Sequence, residues 1–282
     1  MGGTSCTGTI LSLAERVVRQ GTGVRREIDG FLIRTVADDP GLADRIQALI
    51  DAVWPRFVTE STSPKGHTLP FDWFGIFRRW PHLQYVLIDP ADNTLVAAGN
   101  ALTLAWDGPA EELPDTGWNW VMYQAELDYK AGRTPTMASG LSVTLDPTRR
   151  GQHLSNIAVR AMKQLVLETG VRRFFIPVRP VWKARYPITP MAEFCSWTNA
   201  EGLPFDPWMR VHARLGARMI KPCNSSQPAA GTVAQWEEWL DLPLPASGEY
   251  VGPGLLATLH VDRDADEGVY IEPNVWMQHP LP

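Results

Sequence analysis

The sequence predicts an α+β fold: a mixed, mostly antiparallel, twisted sheet flanked by helices, with an extended C-terminal segment. Three observations lead there. Strand-like runs follow one another with only a turn between them at 84–106 and 255–279, a pattern that parallel crossover units do not produce. Runs with the 3.6-residue apolar period stand between other strand-like runs rather than after each one. With 282 residues, 44% hydrophobic and 20% charged, the chain is long and apolar enough for a substantial core.

In chain order, residues 1–27 read as a flexible arm with a short helix around 10–20, and "GFLIRTV" (30–36) as a strand. "DDPGLADRIQALIDAVWPRFV" predicts a helix with Asp39 as N-cap and Pro40 at its first position; Leu42, Ile46, Leu49, Ile50 and Val53 form its apolar face. "QYVLIDP", the turn "ADN" and "TLVAAGNALTLAW" predict an antiparallel hairpin. Residues 107–136 form an insertion with a helix around "WVMYQAELDYKAG", and "ASGLSVTLDP" is the next strand. Ala158, Met162, Leu165, Val166 and Thr169 share one helical face that Gly170 ends. In the strand "RRFFIPVRP", Pro177 cannot donate to a ladder, so pairing to one neighbour should fail near it. "DPWMRVHARLGA" is a short helix with Asp206 as N-cap, Pro207 first and Gly216 as stop, and Trp208, Val211, His212 and Leu215 face inward. The tail predicts a helix around "VAQWEEWL" and a hairpin from "GLLATLHVDRD" to "GVYIEPNVWMQHP". The expected domains are an arm over 1–27, a core over 28–225 and a segment over 226–282 that completes the same domain.

Several function classes have no support. A formal net charge of -5 speaks against wholesale nucleic-acid binding. The three cysteines, Cys6, Cys195 and Cys223, are widely spaced, so no disulfide or zinc framework is expected, and a reducing cytoplasm is the expected compartment. The six histidines have no metal-ligand spacing, so no metal site is expected; there is also no run of apolar residues of membrane-crossing length, no GxSxG and no Walker loop. "MGGTSC" departs from a myristoylation signal at Cys6. "DRDADEG" (262–268) reads as a hairpin turn rather than a calcium loop.

The chemistry concentrates where a strand ends in a basic turn that opens a helix. Backbone N–H groups at a helix N-terminus, with the helix dipole, form an anion site. The strand that follows is weakened by Pro177, and a short capped helix comes after it. The stretches "LSVTLDPTRRGQHLSNIAV" and "DPWMRVHARLGA" in this order resemble the GCN5-related N-acetyltransferase (GNAT) superfamily, of which the chain would be a divergent member. The family's loop reads roughly V-x-P-x-x-R-G-x-G-x-G/A. Here Pro147, Arg150 and Gly151 match, while His153 and Ser155 stand at the next two small positions. In the later helix Gly216 sets the register and His212 falls at the place of a tyrosine that commonly protonates the leaving thiolate.

The resemblance, which spans about residues 30–220, implies an acyltransferase. An acyl thioester would lie between the splayed strands, with an amide near Leu145 polarising its carbonyl. Arg149, Arg150, Gly151, Gln152, His153, Leu154, Ser155 and Asn156 would face its phosphate end. The co-substrate is acyl-CoA or a phosphopantetheine-linked acyl thioester, with no permanently bound cofactor. The carrier alternative has two grounds: His153 crowds a pyrophosphate site, and Arg149, Arg150, Arg160, Arg172 and Arg173 could meet an acidic acyl- or peptidyl-carrier protein.

His212 is the candidate general acid, with Asp206 beside it. Ser142 on the strand and Cys195 after the split are candidate catalytic groups for handling the acceptor's proton, as are Glu126, Asp128 and Glu193. "FDWFGIFRRW" (71–80), with Trp118, Trp120, Trp182 and Trp197, predicts a sizeable, partly apolar small-molecule acceptor. The expected reaction is transfer of the acyl group to an amine or hydroxyl, in specialised metabolism. Two alternatives stay open: a thioester decarboxylase or hydrolase on the same fold, and a non-catalytic thioester- or carrier-binding module. The apolar C-terminal segments offer an edge for a homodimer.

Overall fold

The computed structural model describes residues 18–19, 24–64, 70–149 and 153–282. The chain opens with β1 (Val18–Arg19), β2 (Val24–Ile28) and β3 (Phe31–Thr35), followed by α1 (Leu42–Val53), α2 (Arg56–Thr59) and α3 (Gly75–Arg79). The hairpin of β4 (Gln84–Asp89) and β5 (Thr94–Leu104) comes next, then α4 (Gly117–Lys130), β6 (Met137–Leu145), α5 (Leu154–Glu168) and β7 (Phe174–Val178). The chain ends with α6 (Met191–Ser196), α7 (Pro207–Arg214), β8 (Arg218–Gly231), α8 (Val233–Leu240), β9 (Gly248–Tyr250), β10 (Leu259–Asp262) and β11 (Glu267–His279).

The strands form one sheet in the order β1-β2-β3-β4-β5-β6-β7-β11-β10-β9, with β8 paired to β11. Every contact in it is antiparallel except β6 with β7. The expected mixed, mostly antiparallel sheet is therefore the one observed. The C-terminal hairpin supplies β11, which lies directly against β7, so residues 226–282 belong to the same sheet.

Three local readings change. The helix after β3 starts at Leu42, because Asp39 accepts from the Gly41 amide and closes a turn there instead of capping a helix. Pro55 then ends α1, and Phe57 is buried in a second apolar cluster with Trp236 and Tyr270. Strand β2 begins inside the stretch expected to be an arm, and Val18–Arg19 pair with Val24 and Arg25 as strand. The rest of the short helix expected around 10–20 lies outside the described residues. The long strand β8 had no expectation at all: Pro222 and Pro228 interrupt its pattern, and a strand paired along its length only with β11, apart from one bridge between Ala230 and Thr62, tolerates both.

The feature that positions the site is the parting of β6 from β7. The two strands pair only at Ala138↔Phe174 and Ser139↔Phe175. Beyond that point Pro177 stays on the β11 side, opposite Trp276. A bulge works with the proline: Ala101 opposes Gly140 and Asn100 opposes Ser142, which leaves Leu141 as an extra residue in β6. Bulges bend and twist the strand that carries them. Trp118 of α4 donates through Nε1 to the Leu141 carbonyl at 3.1 Å and gives the bulged group a partner. Below the bulge, Ser142 donates to Asn100, Asn100 to Gln84, and Gln84 to the carbonyls of Trp80 and Ala101. Gly140 leaves room at the fork, where a Cβ would come within about 3 Å of Met162 and Ile176.

Candidate active site

The fork opens a cleft of about 740 Å³ that passes between the strands. Residues 140–147 of β6 and its exit, and 176–179 of β7 and its exit, form its sides. At one end it meets α5 and α7 through Ser155, Met162, Trp208, Val211 and His212; at the other stand Trp54, Phe71, Trp73, Phe74 and Trp118.

The β6 edge is a line of backbone donors. The Asp146 amide donates to Val96 across β5 at 3.0 Å. Amides of an antiparallel strand alternate in direction, so those of Val143 and Leu145 turn to the other edge, which is the open slot. Leu145 thus presents its amide to the slot.

In the loop, His153 adopts the left-handed conformation, φ 54° and ψ 18°, and serves as N-cap of α5. Glycine enters this region freely and other residues do so at a cost. The loop therefore keeps a glycine-like backbone with an exposed imidazole on it. Leu154, Ser155 and Asn156 form the first turn of α5, with Ser155 on the cleft wall. Arg150, Gly151 and Gln152 lie outside the described residues. Arg149 is already engaged, with Asp89 at 3.4 Å and with Asp92. Arg160 pairs with Asp29, and Arg173 donates to the carbonyls of Trp106 and Gly108.

His212 lies on the cleft wall and is 1% exposed. Its Nδ1 is 2.8 Å from Nε2 of His279, and its Nε2 has no partner. Burial, with His279 beside it, holds its pKa well below the ordinary imidazole value, so the ring is neutral. The tyrosine place of the family is thus filled by an uncharged imidazole.

Two other candidates do not join it. Asp206 accepts N–H bonds from Trp208, Met209 and Trp182, so its carboxylate caps α7 and ties down the chain beyond β7. Cys195 is buried beside Phe194 on α6, off the cleft wall, and burial pushes its thiol up to about 12. A thiol so placed is neither exposed nor ionised, and Cys195 is set aside as a catalytic group. Ser142 does line the cleft, with its hydroxyl donated to Asn100 at 2.8 Å. Glu126 is bound to Lys130 and Arg79, and Asp128 to Arg133 and the Ala105 amide; neither lines the cleft, nor does the exposed Glu193.

The aromatic segment divides. Phe71, Trp73 and Phe74 face the cleft, whereas Phe77 and Trp80 are core. Trp120 packs edge-on against Trp276, and Trp182 and Trp197 close an aromatic cluster with Phe205 away from the cleft. Among the polar residues of the wall with no sequence expectation are Arg179, Gln227, Glu272 and Asn274. Glu272, 1% exposed, holds Arg179 at 2.9 Å and accepts from the Tyr270 hydroxyl at 3.1 Å. A glutamate inside the apolar strand "VYIEPNVW" was the available signal.

No family model matches the chain. It is 24% identical over 276 residues to the arginine N-acetyltransferase avaD of Aspergillus versicolor, covering 89% of this chain and 94% of that one. The loading GNATL domain of CurA from Lyngbya majuscula has the same architecture, with a TM-score of 0.51 and 18% identity over 89% of this chain and 97% of that one. So does the GphF GNAT-like decarboxylase, solved with isobutyryl-CoA, with a TM-score of 0.51 and 16% identity over 89% and 99%. The chain thus has the fold of the GNAT superfamily. Its likeness to the N-acetyltransferase over most of its length is that of an enzyme of the acyltransferase class. Among the described residues no helix is long and apolar enough to cross a membrane.

Proposed function

We propose that this GNAT enzyme transfers an acyl group from acyl-CoA to an amine of a sizeable, partly apolar small molecule by direct attack in a ternary complex. The observation that carries the proposal is the fork: a slot edged by backbone donors, ending at a helix N-terminus on one side and in an aromatic chamber on the other. The pantetheine arm lies along Val143 and Leu145, and the phosphates meet the loop and the first turn of α5. His212 neighbours His279, which pairs with Phe174 in the closed part of the fork. A thioester near His212 therefore takes its carbonyl donor from Val143, at the bulge end, more readily than from Leu145.

The pairing of Arg149 with Asp89 and Asp92, and of Arg160 with Asp29, removes cations that an acidic carrier protein would use, which favours CoA over a carrier-tethered donor. The acceptor arrives as a neutral amine or loses its proton through water, because both carboxylates on the wall are occupied: Asp146 by Thr148 and Glu272 by Arg179. The arginine acceptor in the relative's name fits walls of this kind, since a guanidinium stacks on tryptophan.

Calorimetric titration with CoA and with a set of holo-carrier proteins tests the donor, and thiol release from acetyl-CoA with a panel of amines, arginine included, tests the transfer. Micromolar CoA binding and amine-dependent thiol release are expected. Carrier binding without CoA binding would overturn the choice of donor. Release of acid or CO₂ with no amine present would replace transfer by hydrolysis or decarboxylation.

A further inference from the structure

The His212–His279 contact carries a consequence for the site, and it rests on His212 facing the thioester as proposed above. Both rings are buried, at 1% and 2% exposure. A neutral imidazole has one N–H and one lone pair. The 2.8 Å contact uses a donor from one ring and an acceptor from the other. It leaves His212 Nε2 and His279 Nδ1 without partners. Buried polar atoms are nearly always paired, so an unpaired nitrogen on a residue of the cleft wall is a candidate contact for a ligand atom.

The two ways of placing the protons are not equivalent. If His212 donates, its Nε2 becomes an unpaired lone pair and His279 Nδ1 becomes a buried donor with no acceptor. If His279 donates, His212 Nε2 carries the proton and the orphan on His279 is a lone pair, the less costly kind. Burial, with the charge of Lys163 of α5 nearby, keeps His279 neutral in either arrangement. Phe174 packs on the His279 ring with centroids 5.4 Å apart, and Trp208 covers His212 at 4.4 Å, so neither ring turns freely.

We propose that His279 is a positioning residue that donates from Nε2 to His212 Nδ1, fixing the His212 tautomer whose Nε2–H hydrogen-bonds the departing thiolate sulfur. In the step it serves, the amine nitrogen forms a bond to the thioester carbon and the carbon–sulfur bond breaks. The nitrogen loses a proton, and that proton ends on the sulfur. His212 remains neutral and stabilises the charge that builds on sulfur without losing its own proton. The end of β11 thus supports a histidine that lies 67 residues earlier in the chain.

Nitrogen-15 NMR of histidine-labelled protein reads the tautomer without any substrate. His212 should show a protonated Nε2 and an unprotonated Nδ1; a protonated Nδ1 would overturn the inference. Kinetics with acetyl-CoA and the best amine then separate positioning from packing. His279→Phe keeps the ring contact with Phe174 but not the hydrogen bond, and should lower kcat about tenfold with the donor KM unchanged. His279→Gln, whose amide can still donate to Nδ1, should recover most of it. Equal losses in both variants, or a change in KM alone, would reduce His279 to packing. His212→Phe is the separate control: if kcat survives it, the placement of the thioester at His212 fails, whatever the tautomer proves to be.

Discussion

The two halves of the cleft are built in opposite ways. The donor half comes mainly from neighbouring elements, β6 and α5, with His212 of α7 beside them, and offers mainly backbone: the slot-facing amides of Val143 and Leu145 and the first turn of α5 behind the left-handed His153. The acceptor half comes from at least five segments and offers side chains: Trp54, Phe71 to Phe74, Trp118, Arg179, and the Glu272–Asn274 edge of β11. Backbone donors are supplied by the fold whatever the local side chains are. Assembled side chains are specific, and each can be lost singly. Outside His212 and its partner His279, the donor half should therefore tolerate substitution, and the acceptor half should not.

The largest expected effect that tests this contrast is at Glu272. Glu272→Ala leaves the Arg179 guanidinium, 17% exposed, without its carboxylate. Breaking a buried pair this way should cost about 3 kcal/mol, seen as a lower denaturant midpoint with an unchanged slope. A loss near zero would mean that the pair is not a support of the acceptor wall.

Acidification comes next. Burial keeps His212 neutral far below the ordinary imidazole range, and His279 is lowered to about 3. As pH falls below about 6.5, the unfolded chain takes up protons that the folded chain refuses. Stability is thus full above that pH and declines toward about pH 3, by about 1.4 kcal/mol per pH unit for each histidine. Chemical denaturation at pH 7 and pH 5 should show the decline, and a His212→Phe, His279→Phe double variant should flatten it. An unchanged slope in that variant would assign the decline to other groups.

A smaller effect isolates binding from folding. Phe74 is 58% exposed at the cleft mouth, so Phe74→Ala should leave the unfolding transition in place. It should raise the acceptor KM about fivefold, with CoA affinity unchanged, as expected for one lost aromatic contact of about 1 kcal/mol. Weaker CoA binding would show that the halves are not separate.

The smallest effect has the opposite sign. His153→Gly removes a left-handed non-glycine residue, and should raise stability by up to about 1 kcal/mol without weakening CoA. Weaker CoA binding would show that the imidazole contributes to the phosphate site, which would make the donor half depend on a side chain after all.

The same contrast explains what could be read in advance. The strand–loop–helix of the donor half is local, so Gly151, Pro147 and the apolar period of α5 point to it directly, and Pro177 marks the fork. The bulge at Leu141 is not legible, since it depends on which residue of β5 lies opposite. Cys195 and Asp206 stand near the site in sequence, but in space one is buried behind an aromatic cluster and the other caps a helix. Glu272 and His279 lie far beyond α5 and α7 in the chain; one reaches the cleft and the other reaches His212 only because β11 joins the sheet beside β7.

The sequence by itself determined the mixed, mostly antiparallel sheet, the start of α5 after the basic turn, the weakened strand and the short capped helix that carries His212. Each of these follows from neighbours within a few turns of chain, where hydrogen-bonding capacity and apolar period act directly. The tertiary structure decided which polar groups share the cleft, which arginines are already paired, and which nitrogen of His212 is left free. Those outcomes depend on contacts between distant segments, and burial in a common core is what brings such segments together.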